Sequence, residues 1–260
     1  MNASSPQRGV LILQSLWDHV RSEHKEVLLS PYLPAFSAFL FHVTFCAPFL
    51  VLDALAGVSQ LVRSWRISTK PPSPLCQWLA CLWRIVVRYL TAVLPATALL
   101  QTLRSPAVLP EQAPTCWQVF VEVFACLLIF DTLFFVWHLC MHRVPWLYCN
   151  IHQQHHQHQI SFALQAQDAS TSELLSLLLL ALVSAWLVDC HPMSEALFHL
   201  LNTWLAVEDH CGYSWGLHRL LPLLGGAPHH HTHHVLHKVN YAPYFTHWDH
   251  LFGSYCGDFS

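Results

Sequence analysis

Three stretches of this chain, roughly 35–56, 78–100 and 117–140, are long and apolar. Each has about the twenty residues that a helix needs to cross a hydrocarbon core about 30 Å thick. Backbone N–H and C=O groups find no water in lipid, and a helix satisfies them internally. Two shorter stretches, 173–190 and 193–207, flank His191-Pro192 and suit a helical hairpin that dips through or into the bilayer. Pro95 in the second stretch is tolerable in a membrane helix. Composition agrees, with 54% hydrophobic and 10% charged residues against about 25% charged in an ordinary soluble domain. The expected fold is all-α, a multi-pass transmembrane helical bundle.

Residues 1–34 read as an N-terminal lead-in and 35–260 as a membrane-embedded catalytic domain. Within the lead-in, 10–30 suits an amphipathic helix with Leu13, Leu16, Trp17 and Val20 on one side. It can lie on the lumenal membrane surface. The formal net charge of -3, with 12 Lys+Arg, gives no sign of a nucleic-acid partner. Ten cysteines without a C-x-x-C pair read as mostly buried or reduced thiols.

Histidine is the anomaly. Of 21 histidines, only His19, His24 and His42 precede residue 138. His138 and His142 are four apart at the end of the third apolar stretch. His152, His155 and His156 form an H-x-x-H-H motif, repeated by His230, His233 and His234. On a helix, i, i+3 and i+4 share one face, so each motif gathers imidazoles on one side. Neutral imidazole is a common metal ligand near pH 7.

A hairpin returns the chain to the face it left, so all three motifs reach the same side of the membrane. Arg63, Arg66, Lys70 and Arg143 fall on that side, and the positive-inside rule makes it cytosolic. Asn2-Ala3-Ser4 is an N-glycosylation sequon that the same parity puts in the lumen.

Eight motif imidazoles exceed the three or four protein ligands that a zinc ion takes, so they imply two ions. Imidazole suits iron, zinc and copper alike. A zinc pair would suggest hydrolysis, but the chain has no H-E-x-x-H to supply a glutamate base. An iron pair can activate dioxygen against an unactivated C–H bond of a lipid. His210 and His218 are further candidate ligands. Asp131, Glu208 and Asp209 can orient ligand imidazoles from behind. His158, His229, His231, His237, His247 and His250 are surplus. His42, His191 and His199 lie apart from the clusters.

The histidine motifs, with Phe134-Phe135-Val136-Trp137-His138, Ser161-Phe162-Ala163-Leu164, Val207-Glu208-Asp209-His210 and Ala242-Pro243-Tyr244-Phe245-Thr246-His247-Trp248-Asp249, resemble the fatty acid hydroxylase and sterol desaturase superfamily. The resemblance covers almost the whole chain. It implies an endoplasmic reticulum enzyme with two iron ions that uses dioxygen and an external electron donor to hydroxylate a sterol side chain. It assigns metal binding to His138, His142, His152, His155, His156, His230, His233 and His234, with His210 and His218 as the remaining ligands. The chain departs from the family pattern at Met141, where a histidine is usual, near His218, and over 165–172. Other readings stay open: desaturation, methyl oxidation or hydroxylation of another lipid; metal transport or storage; and an inactive sterol-binding paralogue.

Overall fold

The computed structural model describes residues 6–103, 109–158, 160–214 and 223–257, with side chains from residue 13. No β-strand forms among these residues; Arg66 with Tyr213 and Leu224 with Phe245 make isolated bridges. The main helices are α1 (Pro6–Glu23), α2 (Leu33–Ala56), α3 (Leu75–Leu103), α4 (Cys116–Arg143), α5 (Thr171–Val188), α6 (Pro192–His210), α7 (Gly226–Leu236) and α8 (His247–Phe252). Helices α2, α3, α4 and α5 are long and apolar enough to cross a membrane. The chain is therefore a multi-pass, all-helical bundle.

Each helix boundary has a local cause. Thr115 and Ser170 cap α4 and α5, their hydroxyls accepting from the backbone N–H of Gln118 and Glu173 at 3.1 Å each. Left-handed Asp189 (φ 52) ends α5, and Pro192 opens α6 behind a His191 cap. The break expected at His191-Pro192 is thus a tight helical hairpin. Inside α3 a π-helical turn spans Tyr89–Val93, directly before Pro95. It loosens the ladder where proline offers no N–H and would press on the preceding turn.

Helix α4 packs against α5 and α6, and α6 also packs on α2 and α7. Small buried residues, Cys126, Ala181, Ser184 and Ala185, let α4 and α5 approach closely, as membrane helices do. The outer surfaces of the long helices carry exposed Leu40, Leu79, Trp83, Phe120 and Leu179, suited to lipid.

The two ends of the bundle differ. One end gathers α1, 109–113 and the α5–α6 turn. There Trp17 Nε1 donates to Pro110 O at 2.8 Å and the His191 ring stacks edge-on with Trp17. The lead-in helix is docked through Trp17, 2% exposed, while Leu16 points outward at 50%. The four apolar residues expected on one side are therefore divided.

The other end gathers 57–74, 144–170 and the chain after α6. Here Arg66 is buried, its Nη1 2.8 Å from Asp53 Oδ1. Asp53 also accepts from Tyr213 OH and Trp78 Nε1. Arg66 therefore works as a buried tie rather than as a surface charge. Gly212 is left-handed (φ +79), and a Cβ there would stand 2.6 Å from Ser161 O. Only glycine lets the chain turn against 161–162 directly after His210. All ten cysteines are free thiols, but Cys76, Cys116, Cys140 and Cys149 are exposed rather than buried.

Candidate metal centre

The last turns of α4 carry His138 and His142 to the end of the bundle beyond α5. The chain then runs through a π turn, Tyr148–His152, and a 3-10 turn, His155–Gln157. The second histidine motif is therefore not a regular α-helix. The third motif lies on α7, close behind Pro228, with His230 and His233 buried. His210 is the last residue of α6. His218 and Asn2 lie outside the described residues.

These elements bring nine imidazoles into two groups. One contains His138, His142, His152, His156 and His233; the other contains His155, His210, His230 and His234. Within each group the ligand-capable nitrogens lie within 4.8 Å of one another. Both H-x-x-H-H motifs are split: His152 and His156 face one group and His155 the other, while His230 and His234 face one and His233 the other. Met141 is buried and the five-membered group assembles without a ligand from that position.

The spacing has a chemical meaning. His138 Nε2 and His152 Nε2 are 3.1 Å apart; His156 Nε2 is 3.0 Å from His152 Nε2 and 3.3 Å from His233 Nε2. In the second group His210 Nε2 lies 3.1 Å from His155 Nε2 and 2.9 Å from His230 Nε2, and His230 Nε2 lies 3.0 Å from His234 Nε2. Two nitrogens about 2.1 Å from one ion and at right angles around it would stand about 3.0 Å apart.

In four of the rings the other nitrogen meets an oxygen. His138 Nδ1 lies 2.7 Å from Tyr241 O, His233 Nδ1 2.7 Å from Val239 O, and His210 Nδ1 2.7 Å from Ala206 O. His152 Nδ1 lies 3.0 Å from Glu173 Oε1. Carbonyl oxygens only accept, so Nδ1 of His138, His210 and His233 donates its proton, and His152 Nδ1 does so towards the ionised Glu173 carboxylate. Each Nε2 then presents a lone pair inward. Lone pairs of His138 and His152 facing across 3.1 Å repel unless a cation lies between them. Protonating the rings is no remedy, because burial holds the pKa values of His152, His155, His156, His230, His233 and His234 well below the ordinary value. His142 Nε2 is buried with no hydrogen-bond partner, as a nitrogen awaiting a metal would be. The donor set fits two metal ions.

The three acidic residues expected to orient imidazoles make other contacts. Asp131 Oδ1 accepts from the backbone N–H groups of Tyr244 and Phe245 at 2.9 and 3.0 Å. It therefore holds the segment that offers Tyr241 O to His138. Glu208 accepts from the Ala227 backbone N–H, bracing the start of α7. Asp209 is buried, and burial, with Glu208 and Asp131 nearby, raises its pKa.

The carboxylate that meets a grouped imidazole is Glu173, 2% exposed at the start of α5. Asp249 binds His229 and the backbone N–H groups of Tyr241 and Ala242. Left-handed Asn240 (φ 55) lies between the two carbonyls used by His233 and His138. Asp168 pairs with Arg84, Arg88 and His158. Burial raises its pKa, but those partners outweigh burial and hold the carboxyl well below the usual range. Two arginines inside an apolar stretch were the available sequence signal for this cluster. A cavity of about 250 Å³ opens beside both groups, lined by His156, His234 and three of the surplus histidines, His158, His231 and His237.

Residues 123–254 match the Fatty acid hydroxylase family. Human cholesterol 25-hydroxylase is 43% identical over 97% of this chain and 95% of its own length. The zebrafish (Danio rerio) cholesterol 25-hydroxylase-like protein is 43% identical over 93% of this chain and 97% of its own. Rat cholesterol 25-hydroxylase is 42% identical over 94% of this chain and 83% of its own. No solved structure matches the chain.

Proposed function

Because the chain belongs to the fatty acid hydroxylase family, we propose that it is a membrane sterol hydroxylase that uses two iron ions and dioxygen to hydroxylate the cholesterol side chain at carbon 25. The observation that carries this reading is the convergence of nine imidazoles into two groups, four of them with Nδ1 on an oxygen and Nε2 facing inward, in a chain whose relatives are named cholesterol 25-hydroxylases.

In this proposal His138, His142, His152, His156 and His233 hold one ion, and His155, His210, His230 and His234 hold the other. His218 is a further proposed ligand. Zinc is redox-inert, whereas bound iron supplies the redox chemistry that activates dioxygen for C–H oxidation. One oxygen atom enters the sterol and the other leaves as water, with electrons from an external donor. The chain's own groups prepare the site. Glu173, Tyr241 O, Val239 O and Ala206 O keep their imidazoles in the tautomer that binds metal, and the apolar bundle excludes water from the lipid side. The groups sit at the end of α4, not at its middle. That favours an enzyme at the membrane face over a transporter, whose ligands belong near the bilayer midplane.

The proposed location is the endoplasmic reticulum membrane with the histidine end in the cytosol. Arg63, Lys70 and Arg143 at that end support this by the positive-inside rule, and Asn2 is then lumenal and open to glycosylation. Metal analysis of the purified protein, paired with a sterol product profile, tests the proposal. Iron near two per chain and cholesterol hydroxylated at carbon 25 are expected. Zinc alone, with no oxidised lipid from an intact preparation, would overturn it. A desaturated or methyl-oxidised sterol, or a hydroxylated fatty acyl chain, would keep the metal centre and replace the substrate.

A further inference from the structure

At the end of the bundle opposite the histidines, two thiols meet. Cys126 on α4 is fully buried, and Cys190 in the α5–α6 turn is half-buried. The Cys126 thiol points at Cys190 Sγ, 4.0 Å away. The other contacts of the pair are weak ones, from Cys126 to Ser184 O at 3.9 Å and from Cys190 to Ala185 O at 3.6 Å.

A disulfide has an S–S length of about 2.05 Å, so the sulfurs need to close by about 2 Å. Side-chain rotation with a small shift of the turn can supply this. Cys190 is the partner outside a helix, because α5 has just ended at left-handed Asp189 and α6 has not begun. It is also the wet partner. Asp189 before it is exposed, and His191 after it spends its backbone N–H on Glu122 and its ring on Gln112 O. A dissolved thiol reagent reaches Cys190 first, with Cys126 behind it.

We propose that Cys126 and Cys190 are an oxidisable pair, and that a disulfide-exchange oxidant such as glutathione disulfide converts them to a disulfide that ties α4 to the α5–α6 turn. The Cys190 thiolate attacks one sulfur of glutathione disulfide and releases one glutathione thiolate. The Cys126 thiolate then attacks Cys190 Sγ and releases the second. One S–S bond forms and one breaks. Two electrons pass from the pair to glutathione, and the two S–H protons end on the two glutathione thiols. With the histidine end cytosolic, as proposed above, this pair faces the oxidising lumen, where disulfides persist. The pairing itself follows from the local geometry and is independent of the metal chemistry.

The test uses the full chain in its membrane or in detergent. It is equilibrated in a glutathione buffer rich in the disulfide form, quenched with acid, denatured, alkylated and digested without reduction. Of the ten cysteines, Cys126 and Cys190 should escape alkylation without carrying glutathione. They should appear as one linked peptide pair that reduction separates. In C126S the same treatment should leave Cys190 alkylated or bearing glutathione. Recovery of Cys126 and Cys190 as separate alkylated peptides from the unsubstituted protein would overturn the proposal, as would pairing of either with another cysteine.

Discussion

Glu173→Ala isolates what the carboxylate behind His152 contributes. Glu173 and His152 are both almost fully buried, their side chains 3% and 1% exposed, and their bond is 3.0 Å long. Removing the acceptor leaves the His152 Nδ1–H buried without a partner, which costs about 1–3 kcal/mol. It also removes a negative charge that offsets the metal and releases the tautomer that aims Nε2 inward. Losing an outer carboxylate of this kind typically lowers metal affinity or activity about 10–100-fold. Since tenfold corresponds to about 1.4 kcal/mol, the two routes agree. Glu173→Gln keeps an accepting oxygen without the charge, and charge-assisted bonds are about twice as strong as neutral ones. It should lose about 3–10-fold. The assay is chelator competition for bound metal, run beside turnover. Ser170→Ala is the control: it removes the cap on the Glu173 N–H at 3.1 Å, costing about 1 kcal/mol of stability with little change in metal affinity. Unchanged metal affinity and turnover in a folded Glu173→Ala protein would show that Glu173 does not support His152 as a ligand.

Three further outcomes are expected. His155→Ala and His233→Ala fall in different groups, so each should lower bound metal by about one ion per chain and activity by at least about 100-fold, with membrane insertion retained on protease protection. Asp131→Ala leaves the Tyr244 and Phe245 N–H groups without their buried acceptor; it should cost about 3 kcal/mol, read as a lower thermal midpoint in detergent. The third concerns pH. Burial depresses the folded-state pKa values of His152, His155, His156, His230, His233 and His234, while unfolded histidine titrates near about 6.5. Below that value the unfolded chain binds more protons, so the metal-free protein is most stable above about pH 6.5 and weakens by up to about 1.4 kcal/mol per pH unit per group as pH falls. A thermal midpoint that rose on acidification from neutral pH would contradict this.

The four long helices and the α5–α6 hairpin were legible because apolar length and a proline break are one-dimensional signals. The convergence of nine of the ten candidate histidines was legible as well, since histidine at short spacing in apolar surroundings has few other uses. Their partition between two groups was not. Helical spacing gathers His152, His155 and His156, and likewise His230, His233 and His234, on one broad side, but in the turns at 148–157 and on regular α7 alike the i and i+4 rings join one group and the i+3 ring the other. The supporting atoms were also hidden. Tyr241 O and Val239 O are backbone acceptors, which no side-chain pattern announces. Glu173 stands three residues after Ser170, the spacing of a capping box, and that local reading conceals a side chain that reaches His152 across 21 residues. Asp131 stood out as a carboxylate in an apolar helix, yet it reaches the histidine groups only through the 241–245 backbone.

In the proposed reaction two histidine-held irons hydroxylate a sterol with dioxygen. Turnover of labelled cholesterol under isotopically heavy dioxygen, with an electron donor supplied and products read by mass spectrometry, tests it most directly. Cholesterol carrying one heavy oxygen on its side chain at carbon 25 is expected, and none from His155→Ala. Heavy label entering from water instead, or a metal-replete protein that leaves cholesterol unoxidised, would contradict it.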